Sequence, residues 1–175
     1  MNYATIKPID VANGPGIRVS LFVSGCRNHC KGCFNPETWD FCYGEHFTED
    51  VVQDILKMLE PHYIKGLSIL GGDPCEPENV PYVLSLAMMT KAKFPFKDIW
   101  MYSGYTYKHI LKTNAQYILK YIDVLVDGPF ILELKNPKLA FRGSENQRIL
   151  KLKNGNLVKV LAEGKQEGLI DYDLD

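Results

Sequence analysis

The chain predicts an α/β fold, a partial and open (β/α) barrel or an open sheet, and three observations lead there. Short apolar runs alternate with stretches of helical periodicity, in the repeated order strand, loop, helix that builds parallel strands. Each run ends in residues that turn the chain: Gly25, Gly71-Gly72-Asp73, Ser103-Gly104 and Asp127-Gly128. Four such units are too few for a closed eight-stranded barrel. At 175 residues the chain suits one domain that needs no staples to hold its core.

Taken in order, Asn13-Gly14-Pro15-Gly16 is a turn cluster feeding a strand over residues 17–23. Thr48 is an N-cap candidate, with Glu49 and Asp50 where carboxylates favour the positive helix end. Val51, Val52, Ile55, Leu56 and Leu59 recur at helical spacing, so residues 48–59 read as an amphipathic helix ended before Pro61. A strand follows at 67–70 and a helix at 80–92, with Pro81 in its first turn and a Met88–Met89 stripe that reads as core. Next come a strand at 98–102, a helix at 107–121 and a strand at 124–126. Residues 139–142 read as one more strand. Asn154-Gly155 is a strong hairpin signal between 149–153 and 156–161, and from Ala162 the polar tail reads as peripheral.

Composition excludes several classes of function. Hydrophobic residues make up 46% and charged ones 23%, as in ordinary globular proteins. Lys plus Arg number 20 against 21 Asp plus Glu, so no global field recruits nucleic acid or an acidic membrane. Residues 1–10 have no apolar core of signal-peptide length, and no run approaches a membrane span. Five cysteines, an odd number with a tight cluster, argue against a secreted disulfide framework and for a cytoplasmic, reducing setting. His29, His46, His62 and His109 have no paired carboxylate or serine in sequence reach, so a hydrolytic triad has no support.

Chemistry concentrates between Gly25 and Phe34, where Cys26, Cys30 and Cys33 stand at C-x3-C-x2-C spacing in a loop just past a strand. Ligands collect at the carboxyl ends of strands in open α/β folds. Three thiolates this close suit a soft metal centre, and more than one kind is possible. Structural zinc needs four closed ligands, which His29 would have to complete by folding back. A ferredoxin-like electron carrier needs a fourth thiolate, and neither Cys42 nor Cys75 has such a spacing, so both read as free thiols. The remaining reading is a cluster with three protein ligands and one open iron.

The C-x3-C-x2-C loop resembles the signature of the radical S-adenosylmethionine enzymes. Further stretches narrow the likeness: residues 13–18 (NGPGIR), 71–74 (GGDP), 100–105 (WMYSGY), 123–128 (DVLVDG) and 142–147 (RGSENQ). Together, over residues 1–150, they resemble the activating proteins of anaerobic ribonucleoside-triphosphate reductase. The resemblance implies a radical S-adenosylmethionine domain of partial-barrel type at 1–150, with 151–175 a hairpin and tail extension of the same domain.

It further implies a 4Fe–4S cluster held by Cys26, Cys30 and Cys33, with S-adenosylmethionine on the fourth iron. Reductive cleavage would give a 5′-deoxyadenosyl radical that takes a glycine Cα hydrogen from the reductase's large catalytic subunit, with electrons from a donor of flavodoxin type. The cofactor contacts implied are Gly32, Cys33 and Phe34 for adenine, Gly71, Gly72 and Asp73 for the methionyl end, and Ser103. The rival readings are an activase of another glycyl radical enzyme, such as a formate-lyase, and a non-catalytic iron–sulfur electron carrier. Arg18 reads as one half of a structural ion pair, Asp127-Gly128 as a strand-end turn, and Arg142–Gln147 as shaping the open edge or a partner contact.

Overall fold

The computed structural model describes residues 1–164. They form a mixed α/β fold around one open sheet of eight strands in the order β3-β1-β2-β4-β5-β6-β7-β8. The strands are β1 (Asn2–Asp10), β2 (Ile17–Val23), β3 (Glu45–His46), β4 (Ile64–Gly71), β5 (Asp98–Ser103), β6 (Val124–Asp127), β7 (Arg148–Lys153) and β8 (Asn156–Ala162). The helices are α1 (Glu49–Met58), α2 (Val80–Lys93) and α3 (Tyr107–Ile110). The four strands with the clearest apolar runs, β2, β4, β5 and β6, pair in parallel, as the strand–loop–helix repeat predicts. The Asn154-Gly155 hairpin extends the same sheet, β7 pairing antiparallel with β6 and β8 antiparallel with β7.

Alternation along the strands separates two faces. Val19, Leu21, Val23, Leu67, Ile69, Ile99, Met101 and Leu125 pack against Val52, Ile55 and Leu56 of α1 and Val83 and Leu86 of α2 in the main core. The other face carries Trp100, Val124, Val126 and Ile149, with Tyr102 and Phe141 against them. Thr48 caps α1 as expected, its hydroxyl accepting the Val51 N–H. In α2 the buried stripe is Val80, Val83, Leu86, Ala87 and Thr90; Met89 only packs beside it, and Met88 is exposed, against expectation.

Three further expectations are corrected. No strand was expected at β1, a partly exposed strand containing Pro8, whose pairing with β2 is irregular between Lys7 and Asp10. Its weak apolar alternation hides it from periodicity. The expected helix at 107–121 splits into α3 and a 3-10 helix, Asn114–Lys120. At the break Thr113 is extended and its hydroxyl accepts the Ala115 N–H, a local bond that competes with helix continuation. Residues 139–142 are loop, and Phe141 sits at φ 59°, a left-handed conformation no strand contains. Most of the expected tail, residues 165–175, lies outside the described residues.

Arg18 is fully buried on β2, as one half of the expected ion pair. It meets Asp98 at 2.7 Å and donates to Ser68 Oγ at 2.7 Å and to the Leu67 carbonyl at 2.9 Å, tying β2 to β4 and β5. Removing the guanidinium leaves the Leu67 carbonyl and Ser68 Oγ without their donor, while Asp98, 27% exposed, can be rehydrated, so Arg18→Met is expected to cost about 2 kcal/mol in urea unfolding; a loss under about 1 kcal/mol would place these strands under other control.

Candidate metal centre and cofactor cavity

The hydrogen bonding of β2 and β4 continues past the ends of both strands. Gly72 N donates to the Val23 carbonyl at 2.7 Å, and Asp73 N to that of Gly25 at 2.8 Å. Gly71 lies at φ 110°, and a Cβ there would stand 2.6 Å from the Val23 carbonyl oxygen. A Cβ on Gly72 would stand 2.5 Å from that of Gly25. The glycine pair is thus required by the approach of one strand end to its neighbour's loop, a tighter constraint than room for a ligand.

The cysteine loop is framed by backbone bonds. Gly25 N donates to Thr38 O at 2.8 Å, Cys26 N to Trp39 O at 3.2 Å, and Cys33 N to Cys30 O at 3.0 Å. Arg27, just past the first cysteine, pairs with buried Glu76 and with Glu78 and lies 4.4 Å over the Phe41 ring. Its own backbone N–H donates to Glu76 Oε1 at 2.8 Å, and Tyr105 Oη to the same oxygen at 3.0 Å. Arg27 holds the Glu78 carboxyl down at about 2. This clamp joins residues 49 positions apart and had no signal in the sequence.

Asp73 is buried at the centre of the strand ends. Its Oδ1 accepts from Cys75 N at 2.9 Å and Ser103 Oγ at 2.8 Å; its Oδ2 accepts from Gly104 N at 2.8 Å and Asn28 Nδ2 at 3.1 Å. Four donors fill the acceptor sites of the carboxylate. Asp73 therefore caps the β4 loop and joins it to β5 and to the cysteine loop. Ser103 also accepts the Tyr105 N–H at 3.1 Å, so its hydroxyl serves protein partners. Asn79 adds a further tie, donating to the Ser24 and Asp73 carbonyls at 3.0 and 2.9 Å.

Above these strand ends lies a cavity of about 580 Å³, within the roughly 300–1,000 Å³ of small-molecule sites. Cys26, Cys30 and Cys33 border it on one side, Gly71, Gly72 and Asp73 on another, with Ser103 and Phe34 also on its wall. Gly32 does not border it: it lies at φ 73°, and a Cβ there would meet Leu132 at 2.8 Å. Phe34 is 60% exposed, with its ring 5.0 Å from that of Phe130. Asn28, which joins Asp73 and faces the cavity, was missed; an amide inside the cysteine loop was its only signal.

The three cysteine sulfurs border one cavity, a soft donor set of the kind that holds an iron–sulfur cluster. Among the described residues no three His, Cys, Asp or Glu side chains come together as a site for one metal ion. The His29 ring lies tilted against that of Trp39, 4.8 Å between centroids. A cluster instead attaches each thiolate to a different iron, as three separate sulfurs around one cavity would allow. Cys42 is exposed and Cys75 buried, and neither borders the cavity. Burial pushes the Cys26 thiol up to about 12, with Asp73 and Glu76 adding to the effect, so iron uptake there releases a proton. Of the weaker candidates, Asp127 is more than a turn: it is buried, pairs with Arg148 and accepts the Tyr107 N–H at 2.7 Å, joining β6, β7 and α3.

Burial raises the Asp73 carboxyl to about 7, against its hydrogen bonds, from an ordinary value of 3.8. A raised carboxyl contributes stability that is complete below about pH 4 and is lost as pH rises through 7. Between pH 5 and 8 the cluster-free chain should therefore lose stability in urea, and Asp73→Asn should flatten that slope. Equal slopes in the two chains would show that Asp73 is already ionised at pH 5.

Residues 12–150 match the family model described as a 4Fe-4S single cluster domain. The anaerobic ribonucleoside-triphosphate reductase-activating protein of Vibrio cholerae serotype O1 is 49% identical over 151 residues, 85% of this chain and 97% of that one. Its counterpart in Enterobacteria phage T4 is 44% identical over 149 residues, 85% of this chain and 93% of that one. The protein of that name in Escherichia coli K12 is 44% identical over 149 residues, 84% and 96% of the two chains.

Proposed function

The chain belongs to the family of anaerobic ribonucleoside-triphosphate reductase-activating proteins, and from that premise we propose that it activates such a reductase by installing a glycyl radical on its large catalytic subunit. The observation that carries the reading is the shared cavity: three thiols of one loop face the ends of β4 and β5 across about 580 Å³. In this reading Cys26, Cys30 and Cys33 hold a 4Fe–4S cluster, and S-adenosylmethionine occupies the cavity beside it. That pair would supply one-electron reductive cleavage of a sulfonium C–S bond to methionine and a 5′-deoxyadenosyl radical, which would take a glycine Cα hydrogen from the partner.

The chain's own residues place and shield that chemistry. Gly71 and Gly72 keep the β4 end flush with the cysteine loop, so the methionyl end of the cofactor meets backbone there. Asp73, saturated by its four donors, acts through what it holds, fixing the Asn28 amide and the Ser103–Gly104 turn on the cavity wall. Cys33 and Phe34 lie on the same wall and form the adenine side, with Gly32 shaping the turn behind them. In this reading residues 1–150 are the radical S-adenosylmethionine domain, of partial-barrel type, and the residues after 150 that the structure describes are its extension. Electrons come from a separate donor of flavodoxin type in the cytoplasm, a compartment that suits an odd number of cysteines with a tight cluster. Among the described residues no helix is long and apolar enough to cross a membrane.

Anaerobic reconstitution should load iron and sulfide, and Cys26→Ala, Cys30→Ala or Cys33→Ala should each abolish the cluster. With a reductant, S-adenosylmethionine and the large subunit, the loaded chain should release 5′-deoxyadenosine and give a glycyl radical signal by paramagnetic resonance. Zinc in place of iron, or cleavage with signal only on a formate-lyase, would overturn the reading.

A further inference from the structure

Three polar side chains meet where the cysteine loop approaches the ends of β4 and β5: Asp73, Ser103 and Asn28, all on the cavity wall. The first two are spent on protein partners. Asp73 accepts four hydrogen bonds, which fill its acceptor sites, and Ser103 donates to Asp73 while accepting the Tyr105 N–H. Asn28 is tied at one end of its amide. Its Nδ2 donates to Asp73 Oδ2 at 3.1 Å, an oxygen that also accepts the Gly104 N–H at 2.8 Å, so the donating edge of the amide is the one turned to the carboxylate. Gly104 makes room for that edge: a Cβ there would stand 2.4 Å from Asn28 Nδ2 and 3.0 Å from its Cγ.

The amides beyond β6 are used differently. Gln147, also on the wall, accepts the N–H groups of Gly143 and Ser144 at 2.8 and 3.2 Å and donates to the Gly128 carbonyl at 3.0 Å. Asn146 is buried, donates to the Pro129 carbonyl at 2.8 Å and does not border the cavity. Asn28 therefore brings to the corner between the cysteines and Gly71-Gly72 a carbonyl oxygen whose direction Asp73 fixes and that no donor among the described residues occupies. An amide oxygen accepts hydrogen bonds and donates none. The methionyl end of S-adenosylmethionine, set against Gly71 and Gly72 in the reading above, presents one donor, its amino group. Its other polar group is a carboxylate, which an amide oxygen does not attract.

We propose that Asn28 is a cofactor-recognition residue: held by Asp73 in the space that Gly104 leaves, it accepts at Oδ1 a hydrogen bond from the amino group of the methionyl end. The inference rests on the cluster and cofactor reading above, and the experiment keeps the two apart. Iron-loaded wild type and Asn28→Ala are titrated calorimetrically under anaerobic conditions and without reductant, so that binding is read with no turnover. The ligands are S-adenosylmethionine and its desamino analogue, in which hydrogen replaces the amino group. Asn28→Ala should bind S-adenosylmethionine roughly tenfold more weakly than wild type, as expected for one lost hydrogen bond, and the analogue equally well. The preference for the amino group thus falls by the same factor. Asn28→Leu keeps the volume packed against Gly104 and removes the acceptor; it should behave alike, and it carries the test if the alanine variant does not retain iron. Equal losses for the two ligands, as a merely structural role would give, or no loss for either, overturn the inference and leave the cluster reading standing. A wild-type chain that takes up no iron, or that takes it up and does not bind S-adenosylmethionine, overturns both.

Discussion

The buried carboxylate of Asp73 is the point at which separate parts of this molecule become one site. A parallel sheet delivers its strand ends to one side but does not specify how the loops beyond them meet. Here one side chain receives a donor from its own turn, two from the end of β5 and one from the cysteine loop. A single fully buried group with four partners has little freedom, because moving any loop leaves a polar atom unpaired away from water. The Arg27–Glu76 clamp works on the outer side of the same loop. Between them the segment around Cys26 is held from two directions.

The two walls of the cavity are built on different principles. The wall formed by β2 and β4 is close-packed backbone, in which Gly71 and Gly72 leave no space for even one added carbon. The wall beyond β6 has no regular element longer than a three-residue 3-10 helix, Leu132–Leu134, and depends on side-chain amides for its shape. The first constrains geometry through sterics and the second through directional bonds. Substitutions in the first should act on folding, and in the second on the shape and polarity of the site.

Much of the sheet was legible because burial on both faces gives β2, β4, β5 and β6 compact apolar runs with turn residues at their ends. The cysteine loop was legible from spacing alone, and Gly71-Gly72-Asp73 from its place at a strand end. What stayed hidden has physical reasons. β1 is partly exposed and carries Pro8, so its pattern resembles loop. Arg27 and Glu76 are far apart in the chain and meet only in the fold. The roles of Asn146 and Gln147 lie in amide bonds to carbonyls 17 and 19 positions away, which no periodicity encodes. Phe34, named from the sequence as an expected adenine contact, borders the cavity, while its ring partner Phe130 carried no signal.

The frame of the cysteine loop consists of bonds to the carbonyls of Thr38, Trp39 and Cys30, none of which involves a metal. Small zinc modules differ, since their ligands come together only when the ion arrives. Here the path of the cysteine loop is set by the polypeptide's own hydrogen bonds, so the spacing of the three thiols is a property of the backbone.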